Sequence, residues 1–312
     1  MRNAVLISRR SFLQAAAMAF AGCSAQSNAV STSAQTVQVN PEPFLTADTL
    51  PSMDGSTACI PLIAQIMADT AGVDLTEAQS SITVSTTAYA WSAMEYDEEY
   101  SPDLLIVYEA PEYVQQELAD AGTQLEKKAI GRDALVFIVN ESNPVKSLTQ
   151  EQLREIYAGH ITNWNELGGA DSEIIAFQRS EDSGSQTLFK KLLIGDNELM
   201  TAPTELAPTD MGALIDSVAV YNNSANAIGF SVYYYVDQMY SQPGLRLLAV
   251  DGVMPSNDTI SDGSYPLCNE FYAVIRTQEA ADSPARRVYD WLSTDAGLAC
   301  IEKSGYVAAA AQ

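Results

Sequence analysis

Ile174-Ile175-Ala176-Phe177-Gln178-Arg179-Ser180-Glu181-Asp182-Ser183-Gly184-Ser185-Gln186-Thr187-Leu188-Phe189-Lys190-Lys191-Leu192-Leu193 reads as a strand, a polar turn and a helix in immediate succession. The apolar run ends at Phe177. Leu188, Phe189, Leu192 and Leu193 then recur three and four apart, the spacing of one helical face. The same alternation extends outward in both directions. Further strands are expected over 82–84, 104–108, 135–139, 227–230, 246–250 and 271–275. Helical stripes are Cys59, Ile63, Ile66 and Met67; Leu153, Ile156 and Tyr157; and Val288, Trp291 and Leu292. The middle stripe carries Thr149 and Gln152 at capping-box spacing and Gly159 at its end. Alternation of this kind argues for an α/β protein with largely parallel sheets. No internal repeat is visible.

Three places along this pattern have the chemistry of an anion site. In Asp54-Gly55-Ser56-Thr57-Ala58, Gly55 lets the backbone turn closely just before the first amphipathic helix. Ser56 and Thr57 there offer hydroxyl and N–H donors at a helix N-terminus, where unpaired donors and the helix dipole favour negative charge. Equally, these residues make an ordinary N-cap. The second place is the quoted turn. Arg179 can fork two N–H donors onto a tetrahedral anion, and Ser183, Gly184 and Ser185 add hydroxyl and main-chain donors. A capped helix with a surface arginine has the same sequence. The third is Glu109, at the end of strand 104–108, where α/β folds place ligands. A carboxylate accepts a hydrogen from a protonated anion such as phosphate and repels a fully ionised one such as sulfate. A solvated glutamate is the plain alternative.

The whole chain sets limits on these readings. It has 312 residues, 47% apolar and 18% charged, a globular composition long enough for two lobes or one large domain. With 40 acidic against 16 basic residues, its formal charge of −24 excludes nucleic acid as a partner. That charge does not exclude a small buried anion, which responds to a few local donors. Cys23, Cys59, Cys268 and Cys300 form no CxxC pair, and His160 is the one histidine. No metal site or cofactor is expected. A Cys268–Cys300 disulfide and three separate buried thiols are both open.

Residues 1–22 read as an export signal. Ser8-Arg9-Arg10-Ser11-Phe12-Leu13 resembles a twin-arginine motif, with Gln14 where lysine is common. Phe20-Ala21-Gly22-Cys23 resembles a bacterial lipobox, with Phe20 where leucine is common. Cys23 would then carry the lipid and anchor the chain to the extracytoplasmic face of the membrane; an ordinary secreted protein cut nearby is the alternative. Residues 23–43, rich in Ser, Ala, Gln, Thr and Asn, read as a flexible tether.

Taken in order, these segments resemble the phosphate-binding proteins of bacterial phosphate ABC transporters, in a divergent branch. The resemblance is carried by Gly55-Ser56-Thr57-Ala58, by Ala134 to Val139, and by Asn143-Pro144-Val145-Lys146-Ser147-Leu148-Thr149. It continues through Ile156-Tyr157-Ala158-Gly159-His160-Ile161-Thr162-Asn163-Trp164, Leu167-Gly168-Gly169, Arg179 through Ser185, Tyr265-Pro266-Leu267 and Gly305-Tyr306-Val307. It implies the type II periplasmic-binding-protein fold, α/β with mixed or parallel sheets flanked by helices and a hinge between two lobes. The expected lobes are 44–133 with 252–312, and 134–251. Ser56, Thr57 and Thr86 or Thr87 would bind phosphate from one lobe; Arg179, Ser183, Gly184 and Ser185 would bind it from the other. Glu109 stands where the family has an aspartate that takes the phosphate proton, Ser185 where threonine is usual and His160 where lysine is common. The partners implied are inorganic phosphate, the transporter's permease subunits and the membrane through its lipid anchor, with the binding protein a monomer. A protein for another oxyanion, or a phosphate sensor, is the alternative. Asp182-Ser183-Gly184-Ser185 is also faintly similar to a serine-protease nucleophile loop. Such a hydrolase needs a histidine base held by a third group, and nothing at proper spacing is expected to orient His160. The chain is therefore not expected to be an enzyme.

Overall fold

The computed structural model describes residues 42–95, 101–202, 206–208, 210–220 and 224–309. The expected export signal, Cys23 and most of the tether lie outside them. Ten strands are described: β1 Met53–Gly55, β2 Leu104–Val107, β3 Leu125–Asn140, β4 Ser147–Leu148, β5 Ile175–Ala176, β6 Ala227–Val232, β7 Leu245–Leu247, β8 Ala249–Val250, β9 Cys268–Arg276 and β10 Val307–Ala308. The α-helices are α1 Ile60–Ala71, α2 Leu75–Ser81, α3 Thr87–Ser92, α4 Glu112–Asp120, α5 Gln150–Ala158, α6 Gly184–Phe189, α7 Met211–Val220, α8 Asn257–Ser261, α9 Pro284–Trp291 and α10 Asp295–Lys303. None of the described helices is long and apolar enough to cross a membrane.

The spine is β3. Its first part, up to Ala134, pairs antiparallel with β9; from Leu135 on it pairs antiparallel with β6 and β7. The main sheet runs β1-β2-β9-β3-β6-β5, with β10 and β7 also on β3. Residues 133–139 are wholly buried, as befits a strand covered on both faces. Among the described residues, parallel pairs occur only at β1–β2, β5–β6 and the separate β4–β8 pair. The expectation of largely parallel sheets is thus corrected to a mixed sheet with an antiparallel centre. Part of the cause is β9, a late strand that inserts between β2 and β3 and opposes both, and β6, β7 and β10 also run antiparallel to β3. Local alternation of helix and strand carries no signal for such an insertion.

The core is built in sections around this sheet. Ile63, Ile66, Leu104, Ile106, Phe271, Val288 and Ile301 belong to one buried cluster. Phe137, Tyr157, Phe189 and Phe230 centre another, with Phe189 stacked on Phe230 at 4.2 Å. Trp91, Met94, Leu105, Val107 and Val114 form a smaller third one on the other side of β2. The helix signals behave as their chemistry requires. Thr149 and Gln152 form the reciprocal capping box of α5, and Gly159 ends it in the left-handed conformation at φ 81°. Ser283 caps α9, which opens on Pro284.

Other expectations need correction. No strand forms over 82–84; that segment is tied to β1 by a side chain, since Asp54 accepts from the Ser85 backbone N–H at 2.8 Å and from its hydroxyl. The strand expected over 135–139 is the second half of a much longer one. The one over 246–250 is broken at Leu248 into β7 and β8, which join different sheets. Cys59, Cys268 and Cys300 are free thiols, Cys268 donating to the Tyr265 carbonyl at 3.1 Å.

Candidate anion site

Ser56 sits between β1 and the single 3-10 turn Thr57–Cys59 that leads into α1. Gly55 is required before it, because a Cβ there would lie 1.8 Å from the Ile106 carbonyl oxygen of β2. This close approach buries the Ser56 hydroxyl, which accepts from the Tyr108 N–H at 3.1 Å and shares a 2.8 Å hydrogen bond with Thr87 Oγ1. Thr87 is the first residue of α3. Trp91 of the same helix donates its indole N–H to the Tyr108 carbonyl at 2.8 Å, pinning α3 to the end of β2. Thr86, before it, is exposed and strained at φ 80°, ψ 170°, a region normally left to glycine. Thr57 is half-buried.

The second group arrives from the turn after β5. Gly184 opens α6 directly against Thr87; a Cβ on Gly184 would lie 2.4 Å from Thr87 Oγ1. Ser183 and Ser185 share a 3.0 Å hydroxyl bond, and the Arg179 guanidinium reaches Ser185 Oγ at 3.5 Å and donates to the Pro208 carbonyl at 3.1 Å. The Arg179 backbone N–H is held by Gln186 Oε1 at 3.0 Å, which couples the turn to the helix it precedes. Arg179 is buried at 7% exposure. That burial lowers its pKa to about 10, against the opposing pull of Asp210 and Tyr235, and it stays cationic at neutral pH. Ser56, Thr87, Arg179, Ser183, Gly184 and Ser185 are therefore joined in one buried chain of contacts.

A model of the PBP superfamily domain matches residues 21–295. The chain belongs to the PBP superfamily. A protein of Borreliella burgdorferi named phosphate-binding protein PstS is 25% identical over 179 residues, 56% of this chain and 63% of that protein. The Bacillus subtilis (strain 168) protein of the same name is 28% identical over 193 residues, 58% of this chain and 60% of that one. The chain thus spans about three fifths of the length of these curated relatives. The crystal structure of an ABC-type phosphate transport receptor from Vibrio cholerae shares the fold at a TM-score of 0.59, with 23% identity, over 82% of this chain and 98% of that one. The PBP fold here is two-lobed, with mixed sheets flanked by helices.

Within this PBP domain, Glu109 follows β2, one residue past Tyr108, whose N–H donates to Ser56, and its oxygens are engaged. Lys127 donates to Oε1 at 3.1 Å and Lys191 to Oε2 at 3.2 Å. Burial alone would raise the carboxyl pKa; Lys127 and then Lys191 outweigh it and hold it below the usual carboxylate range. A cavity of about 1060 Å³ is lined by Glu109, Tyr113, Arg179, Lys191 and Met200 among others. One of about 360 Å³ is lined by Glu109, Arg132, Lys191, Cys268 and Tyr272 among others. Sequence reasoning missed Lys127, Lys191, Gln186 and Asp54. Each acts across a tertiary contact or as the support of another residue, and no local pattern marks such a role. The expectation that nothing orients His160 is corrected: Glu155 of α5, just before it in the chain, holds its Nδ1 at 3.0 Å, though the ring is exposed and Ser183 bonds Ser185. Among the described residues, no group of three or more His, Cys, Asp or Glu side chains could hold a metal ion.

Proposed function

We propose that this chain is an extracytoplasmic solute-binding protein that captures inorganic phosphate for an ABC importer. The observation that carries the reading is the buried cluster of one guanidinium and four hydroxyls: Arg179 with Ser56, Thr87, Ser183 and Ser185. Buried donors of this kind are suited to a small anion that brings its own acceptors. Membership of the PBP superfamily and the names of the relatives support phosphate as that anion.

In this reading Thr57, Thr86 and the main chain of Gly184 add donors, and Glu109 meets the proton of a monoprotonated phosphate. The lobes are 44–133 with 252–312, and 134–251, joined where β3 passes from β9 to β6. The protein acts by binding and not by catalysis. It is a monomer delivering to permease subunits, exported by a twin-arginine signal and held by a lipid on Cys23 through the 23–43 tether. A second reading has an observation in its favour. Both Glu109 oxygens carry lysines, which weakens the repulsion of a fully ionised oxyanion such as sulfate. Titration calorimetry at neutral pH with phosphate, then sulfate, separates the two. Tight 1:1 phosphate binding without sulfate heat is the expected result. Equal binding of sulfate favours the broader oxyanion reading, and silence with both anions removes the proposal.

A further inference from the structure

We infer that Lys191 and Tyr113 are positioning residues that clamp the two lobes together over the anion site and slow release of its occupant. The inference rests on the lobe division proposed above. Glu109 and Tyr113 both come from the segment that leaves β2 and enters α4. Their partners come from the other lobe and bracket α6: Asp182 precedes that helix in the anion turn, and Lys191 follows it in the π-helical turn Lys190–Ile194. Tyr113 Oη donates to Asp182 Oδ1 at 2.5 Å, and Lys191 Nζ donates to Glu109 Oε2 at 3.2 Å. One short segment therefore grips the opposite lobe at both ends of the helix that carries Gly184 and Ser185.

The ion pair also has a particular place between the two cavities. Glu109 and Lys191 are the residues common to both linings. The pair stands as a bar between them, and both spaces merge when it opens. Its chemistry suits a reversible clamp. Lys127, on the same lobe as Glu109, holds the other carboxylate oxygen at 3.1 Å, so the acceptor is already charged and oriented before Lys191 arrives. Opening costs Glu109 one of two partners and leaves no buried unpaired charge. The Lys191 side chain is 53% exposed, which keeps the contact weak and screened by salt. The Tyr113–Asp182 bond lies at a partly exposed rim and reaches the anion site only through the turn it steadies.

The test uses the full chain and its Lys191→Met, Lys191→Arg and Tyr113→Phe variants. Stopped-flow release of inorganic phosphate should be about two- to fivefold faster in Lys191→Met and in Tyr113→Phe, with smaller changes in the association rate. Lys191→Arg should restore slow release, and the salt dependence of release should be reduced in Lys191→Met. Small-angle scattering of the ligand-free Lys191→Met/Tyr113→Phe double variant should give a larger radius of gyration than the parent. Unchanged release rates, or an arginine variant as fast as the methionine one, overturn the clamp. An unchanged radius overturns it whichever anion binds. Absence of phosphate binding in the parent protein removes the phosphate reading alone, and the scattering result then decides the clamp.

Discussion

Arg179 is the residue on which the anion reading leans most. Its guanidinium is buried, reaches Ser185, and stays cationic despite its lowered pKa. Arg179→Ala should therefore weaken phosphate binding by about 1.5–3 kcal/mol, the scale of a charged hydrogen bond, as read by calorimetry. Wild-type affinity in that variant would move the site elsewhere. A second buried charge, Asp133, bears on stability. Asp133 accepts from the Ala134 N–H at 2.7 Å, the Tyr234 N–H at 3.1 Å and the Tyr108 hydroxyl at 2.5 Å. Burial raises its pKa from 3.8 to about 6, and these bonds only partly oppose it. The folded state then holds the proton more tightly than the unfolded one. Stability from this group is fully present below pH 3.8, falls as pH rises toward 6, and is level above. Urea unfolding should show this slope in the parent and lose it in Asp133→Asn, even though that variant is itself less stable. Glu109 has the opposite sign. Its lowered pKa contributes stability above the ordinary carboxylate range, and this is lost as pH falls through the folded value.

Elements meet at the site through two glycines that admit no side chain. Gly55 lets β1 lie against β2, and Gly184 lets α6 abut α3 at Thr87. Gly184→Ala places a methyl 2.4 Å from Thr87 Oγ1 and must push the two helices apart. The expected result is loss of phosphate affinity with a stability cost of about 1–3 kcal/mol, measured by calorimetry and urea unfolding on the same sample. Affinity unchanged from the parent would mean that the α3–α6 contact is not part of the site. At this scale the sequence was legible wherever the signal was local. The capping box and Gly159 bound α5, Cys59 at the N-cap and Ile63 and Ile66 of α1 face the core, and Pro284 opens α9. It was misleading over 82–84, where a short apolar alternation meets no partner strand. There Asp54 binds Ser85 through its side chain in place of a ladder.

At the scale of the whole molecule, Glu109 joins elements far apart in the chain. It accepts from Lys127 of β3 and from Lys191 beyond α6, in a protein whose formal charge is −24. Glu109→Gln frees two lysines and removes one negative charge from the cavity lined by Glu109 and Arg179. It should therefore improve sulfate binding relative to phosphate, measured as the ratio of the two dissociation constants. An unchanged ratio would leave Glu109 without a part in selecting the anion. Local sequence was enough to set the alternation of strands and helices, the caps, and the polar turns rich in serine, glycine and arginine. All of these depend on residues within a helical turn or two of one another. Long-range contacts alone established that β9 inserts between β2 and β3, that Thr87 and not Thr86 is the threonine set against Ser56 and Gly184, and that Glu109 is held by two lysines from different elements. Those contacts join residues far apart in the chain. Their energy comes from burial and charge pairing across the fold, for which neighbouring residues carry no pattern.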